Sequence, residues 1–238
     1  DSTGEVGDFT HFSLNEGLAV EGALFLFEDS RKDIWFTTTG GGAARLQTNV
    51  VKDSTELDGM LTYFSKQEGM GHGWAWSVME DQQGRLWFAT EGVGITIFDP
   101  AKEGTDEAFT YFTEADGLPT SQVASFQQDK QNRIWVTTDK GMGVFVPISK
   151  DSTAIVQTAL PGYQFFPFGE LDGLKELSFP NNSNYLDSKN RLWWGSNKGI
   201  TYLDVDQFKL TTEPPRDVGV SHINIQQQYI DFRDTSNA

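Results

Sequence analysis

The chain has 238 residues, 37% of them apolar and 13% aromatic, with seven Trp and eighteen Phe; this is bulk for a substantial core and argues against disorder. A formal charge of −16 excludes nucleic acid and anionic membrane surfaces as natural partners and leaves neutral sugars, cations, peptides or a basic protein. There is no Cys, hence no disulfide framework and no thiolate chemistry, and no stretch approaches the roughly 20 apolar residues of a membrane span. The chain begins at Asp1 without a Met, which reads as a processed or truncated soluble piece.

In chain order, DFTHFS (8–13) reads as an outer strand and GLAVEGALF as a loop leading into an inner strand. DSRKDIWFTT (29–38) then supplies a polar turn and a Trp-bearing strand. The word returns as DQQGRLWFAT (81–90), DKQNRIWVTT (129–138) and DSKNRLWWGS (187–196), a period of about 50 residues. Asp29, Asp81, Asp129 and Asp187 each precede their Trp (Trp35, Trp87, Trp135, Trp193) by six residues. Three residues before the Trp stands Lys32, Gly84, Asn132 or Asn190, and three after it Thr38, Thr90, Thr138 or Ser196. Upstream, Phe12, Phe64, Phe112 and Phe168 each lead Gly17, Gly69, Gly117 or Gly173 by five residues.

Each copy predicts a β-meander. SVMED and RLWFAT are rich in strand formers, with DQQG as the hairpin turn between them. The Asp caps the turn, and Gly or Asn accepts the left-handed conformation near its end. TEGVGITIFD adds a Gly turn and a third strand, and FTYF a fourth. Such a unit has two apolar faces, and stacking copies around an axis buries both. The expectation is an all-β protein, a β-propeller of four four-stranded blades over 1–210, either a small closed ring or a fragment of a larger propeller. The repeated Trp should fill the gap between blades, and the Thr/Ser hydroxyls should bond across it. Closure would pair residues 9–12 with 200–203; otherwise both edges stand open or the chain oligomerises.

MEDQQGRLWFATEGVGI, FQQDKQNRIWVTTDKGMGVF and YLDSKNRLWWGSNKGITYLD resemble the two-component regulator propeller repeat. That resemblance implies a periplasmic or extracellular sensor propeller of a hybrid two-component histidine kinase, in a parent receptor that could dimerise. TEPPRDVGVSHINIQQQYIDF (212–232), within a C-terminal extension 211–238, resembles the opening of the triple-tyrosine β-sandwich that follows such propellers. The Asp-box of sialidase-like propellers fits less well, because there the Asp stands closer to the Trp. Streptogramin lyase blades are related, which makes a lyase or hydrolase the enzymatic alternative, and a protein-interaction scaffold is the third.

The chemistry-bearing residues are few. His11, His72 and His222 do not stand at zinc-ligand spacing, there is no H-E-x-x-H and no EF-hand loop, and DVDQF (204–208) lacks the rest of a calcium loop. No metal, cofactor or catalytic residue is expected. GMGHGWAWS (69–77) departs from the other loops: no helix follows it to bind an anion, and it carries His72, Trp74 and Trp76. These loops precede each first strand and should crowd one mouth of the channel. There the two Trp could face a sugar ring, with His72, Glu21, Gln122 and Asn181 as polar partners. The bland reading is that both Trp pack between blades.

Overall fold

The structure, a computed structural model, describes residues 22–48, 61–148 and 160–210, together with the backbone of 222–225 and 228–231. The chain divides into two compact units, Asp1–Asp206 and Gln207–Ala238. In the first, blade one comprises β1 (Ala23–Glu28), β2 (Ile34–Thr38), β3 (Ala43–Leu46) and β4 (Leu61–Phe64). Blade two comprises β5 (Ala75–Glu80), β6 (Leu86–Thr90), β7 (Gly94–Phe98) and β8 (Phe109–Phe112). Blade three comprises β9 (Val123–Gln128), β10 (Ile134–Thr138), β11 (Gly141–Pro147) and β12 (Tyr163–Phe168). Blade four comprises β13 (Asn184–Leu186), β14 (Arg191–Gly195) and β15 (Ile200–Asp204). Every sheet is an antiparallel meander in chain order. In the second unit β16 (His222–Ile225) and β17 (Gln228–Asp231) form a hairpin, inside the segment that resembles a β-sandwich opening.

The meanders follow from local chemistry. At the position three before each Trp, φ is positive: 74° at Lys32, 75° at Gly84, 66° at Asn132 and 57° at Asn190. The fourth strands of blades two and three end in tight 3-10 turns, where Thr113 and Asp116 cap each other and Gly117 and Gly173 take left-handed conformations. At Gly42, Gly94 and Gly141 an added Cβ would lie 2.1–2.7 Å from a backbone carbonyl of the fourth strand, so the second hairpin of each complete blade requires glycine.

Packing between blades buries the repeated tryptophans. Trp35 of blade one meets Phe88 and Phe98 of blade two. Trp87 meets Phe126, Phe145 and Tyr163 of blade three, and Trp135 meets Trp194 of blade four. Trp35, Trp87 and Trp135 are at most 2% exposed. At 25 cal/mol/Å² and 150–250 Å² per aromatic side chain, each contributes several kcal/mol of burial before entropy is charged against it.

Among the described residues the fourth copy has three strands, and the place of its fourth is the one that closure assigns to residues 9–12, outside the described set. Two expectations need correction. Trp193 keeps its place in the repeat but is only half-buried, because no described blade follows to cover it. The hydroxyls of Thr38, Thr90, Thr138 and Ser196 do not bridge blades: each donates to a carbonyl of its own hairpin (Gly42, Gly94, Gly141 and Gly199, 2.8–3.1 Å). The pairing of 9–12 with 200–203 involves residues outside the described set; among the described strands β15 pairs only with β14, and the sheets do not close.

Candidate functional site

The two ends of the strands are built differently. At one end sit the Asp turns. The Oδ1 of Asp81 accepts the backbone N–H groups of Gln83 (2.9 Å) and Arg85 (3.0 Å), while Oδ2 accepts the Trp87 indole N–H (2.8 Å) and the Arg85 guanidinium (2.8 Å). Asp129 repeats this with Arg133 and Trp135, and Asp187 with Arg191 and Trp193. Asp29 bonds Trp35 in the same way (2.9 Å), but Asp33 occupies the arginine position. Asp29, Asp81 and Asp129 are at most 4% exposed, so each is a buried carboxylate whose lone pairs are fully used. This is more than turn-capping: the carboxylate joins the turn, the core Trp and an arginine that stacks over that Trp.

The electrostatics follow. Burial pushes the Asp187 carboxyl up, but the N–H groups of Trp193, Arg191 and Lys189 and the Arg191 guanidinium outweigh it, holding Asp187 well below the usual carboxylate range. Asp33 is raised, by burial first and then by the Asp29 charge, with Arg45 opposing. Burial and the Asp81 charge also raise the Tyr163 phenol, whose O–H donates to Gln83 (3.1 Å).

At the other end lie the loops entering the inner strands. His72, Trp74 and Trp76 come together: the Trp74 backbone N–H donates to His72 Nδ1 (3.2 Å), and the two indoles meet edge to face at 5.4 Å. Trp74 is 40% exposed, whereas Trp76 is half-buried against the core of blades two and three. The loop is anchored to blade one by a bridge from Trp74 to Thr39 and by the Gly42 N–H to the Gly73 carbonyl. Gly73 permits that approach, since a Cβ there would stand 2.8 Å from the Gly40 carbonyl.

Gln122 is half-buried, with its backbone N–H on Thr120 Oγ1, and Asn181 is exposed; neither has a hydrogen bond to the tryptophan pair among the described residues. Glu21 and His11 lie outside the described residues, and of His222 only the backbone is described. The residue that does reach the pair is Asn182. Its Nδ2 donates to the Trp76 carbonyl (3.0 Å) and its N–H to the Ala124 carbonyl (3.3 Å), from a left-handed φ of 57°. Asn182 neighbours Asn181 in FPNNSN, and no sequence feature separates the two.

Asn182 also lines a cavity of about 360 Å³ running along the inner strands of the first unit, beside Phe25 and Phe27 of β1, Met79 of β5, Gln128 of β9 and Asn184. Among the described residues Gln128 Nε2 is buried there without a partner, while Asn184 Nδ2 is taken by Ser125 Oγ and the Phe126 carbonyl. Among the described residues no three His, Asp or Glu side chains converge as a metal site. Asp206 of the acidic DVDQF segment instead accepts from Asn190 (2.6 Å) and Gln131 (3.0 Å), tying blade four to blade three.

Antiparallel meanders keyed to one another by a buried Trp define an arc of a β-propeller. Residues 69–92 and 117–140 match the family model described as Two component regulator propeller, and each match runs from the loop end of a blade through its Asp turn and Trp. Blades two and three thus carry the repeat that this model describes. Among solved structures it is similar to the extracellular domain assigned to the hybrid two-component system BT3049 of B. thetaiotaomicron, at TM-score 0.64 and 20% identity over 83% of this chain and 24% of that one. The corresponding domain of BT4673 matches at TM-score 0.55 and 19% identity, over 79% and 23%. PorZ, a surface component of the type-IX secretion system of Porphyromonas gingivalis, matches at TM-score 0.50 and 16% identity, over 78% and 25%. This chain thus spans about a quarter of the length of the structures it resembles, and at these identities the likeness is one of fold. No curated protein sequence matches it.

Proposed function

We propose that this chain is an extracytoplasmic sensor segment that binds a neutral carbohydrate or similar polar ligand at the loop end of its blades. The match of blades two and three to the two-component regulator propeller model supports the signalling role, as does the likeness to domains described as extracellular parts of two-component systems. What carries the ligand reading is the Trp74–Trp76 pair: an exposed indole held edge to face against an anchored one, on a loop whose composition the other three copies do not share. A flat aromatic face beside amide groups is the surface that a sugar ring stacks on, and Asn182 supplies an amide that links the pair to the cavity beneath. The charge of −16 favours neutral over acidic sugars.

The test is a thermal-shift and calorimetric screen of neutral and acidic oligosaccharides against the chain and its Trp74→Ala variant. A neutral sugar should raise the Tm of the parent and lose its effect in the variant. A panel without any shift, or a shift that Trp74→Ala leaves intact, overturns the site.

A further inference from the structure

The inner strand of each complete blade is out of step at the same place. In β1 the ladder passes from Ala23 to Phe25, in β5 from Ala75 to Ser77 and in β9 from Val123 to Ser125. Leu24, Trp76 and Ala124 are therefore bulged residues, outside the ladder to the second strand. Each stands five residues before the Asp of its turn. The residue five before Asp187 is Asn182, two positions ahead of β13. Ala124 is buried and Trp76 half-buried, so a carbonyl that the bulge takes out of the ladder needs a donor from elsewhere.

Asn182 supplies that donor twice. Its backbone N–H reaches the Ala124 carbonyl (3.3 Å) and its Nδ2 the Trp76 carbonyl (3.0 Å), so equivalent residues of blades two, three and four meet at one level of the inner strands. The chemistry selects asparagine. Its φ of 57° is a conformation that Gly, Asn and Asp tolerate, and of these only Asn has a side-chain N–H to give. The reach over blade three starts from a fixed base: Asn184 Nδ2 donates to Ser125 Oγ (2.6 Å) and to the Phe126 carbonyl (3.0 Å) of β9. At the far end lies Trp76, whose indole packs against the core of blades two and three and meets Trp74 edge to face at 5.4 Å.

We infer that Asn182 is a positioning residue for the tryptophan pair: from blade four it holds the bulge at Trp76, and so sets how Trp74 is presented. The aromatic face is supplied by blade two and oriented by a residue 106 positions further along the chain. Its bearing on recognition rests on the ligand reading above, whereas the hold on Trp76 is measurable with no ligand present.

The experiment is circular dichroism of the 238-residue chain, in which two indoles in edge-to-face contact give an exciton couplet. Trp135 and Trp194 are also in contact, so the signal read is the part of the couplet that Trp74→Ala removes. Asn182→Gly keeps the left-handed angle and deletes the amide, Asn182→Asp keeps the shape and loses the donor, and Asn181→Ala is the control. Both Asn182 variants should lose most of that signal with Tm lowered by no more than about 2–4 °C, and Asn181→Ala should leave it intact. In the sugar screen, a ligand whose effect depends on Trp74 should bind both Asn182 variants more weakly than the parent. A parent without a Trp74-dependent couplet, a couplet retained in both Asn182 variants, or one lost equally in Asn181→Ala overturns the hold on Trp76. Equal sugar affinity in parent and Asn182 variants overturns the role in recognition. A sugar panel without any shift, beside a couplet lost in both variants, supports the hold and counts against the ligand reading alone.

Discussion

The turn end and the loop end of each blade obey different rules. At the turn end, four Asp residues make the same bonds to a Trp indole and to the same backbone amides, within 2.8–3.0 Å for the indole contact in every blade. At the loop end, blade two places two Trp and a His where the others place Ala, Val and Glu, or Pro, Thr and Ser. A buried carboxylate that satisfies four donors tolerates no substitution, so repetition there is physically enforced. A solvent-facing loop carries no such constraint, and its chemistry is open to a ligand.

The largest way to break the comparison is Asp81→Ala. It strands the Trp87 indole, two backbone amides and the Arg85 guanidinium in a buried turn, and should cost about 3–5 kcal/mol in denaturant unfolding. A smaller effect separates the blades from one another: Trp193→Ala, at the half-buried copy, should cost only about 1–2 kcal/mol by the same measurement. Lys32→Gly sharpens the rule in the favourable direction. Lys32 holds a φ of 74° without the excuse of Gly or Asn, so glycine should raise stability by about 1 kcal/mol, less a few tenths for the exposed contact to Glu28. The subtlest test is pH. Because the folded-state pKa of Asp187 is depressed, its contribution is complete above the ordinary aspartate value of about 3.9 and fades as pH falls toward the folded value. The stability gap between the chain and Asp187→Asn should be flat above about pH 5 and shrink below about pH 4.

Much of the turn end was legible in the sequence, because its requirements are local. Asp six residues before Trp, with Lys, Gly or Asn three before it, encodes both the hairpin and the left-handed position. The arginine two residues before Trp in three copies was equally visible, yet its role needs the folded geometry that brings Arg85, Arg133 and Arg191 back onto the carboxylate. The Thr and Ser hydroxyls misled for a related reason: a recurrent buried hydroxyl suggests contact with a neighbour, and only the register shows that its own hairpin carbonyl lies nearer. At the loop end, the local signal grouped His72, Trp74 and Trp76, which lie together in the fold. It could not choose Asn182 over Asn181, nor place Gln128 in the cavity, because both depend on which blades meet along the inner strands.

The central claim, that the turn end holds the fold while the loop end is available for recognition, is tested most directly by equilibrium unfolding of Trp87→Ala beside Trp74→Ala. Trp87 is fully buried and hydrogen-bonded to Asp81, and its loss should cost about 3–5 kcal/mol. Trp74, 40% exposed, should cost less than about 1 kcal/mol. Comparable losses in the two variants would contradict the account, making Trp74 a packing residue and leaving the loop end without a site.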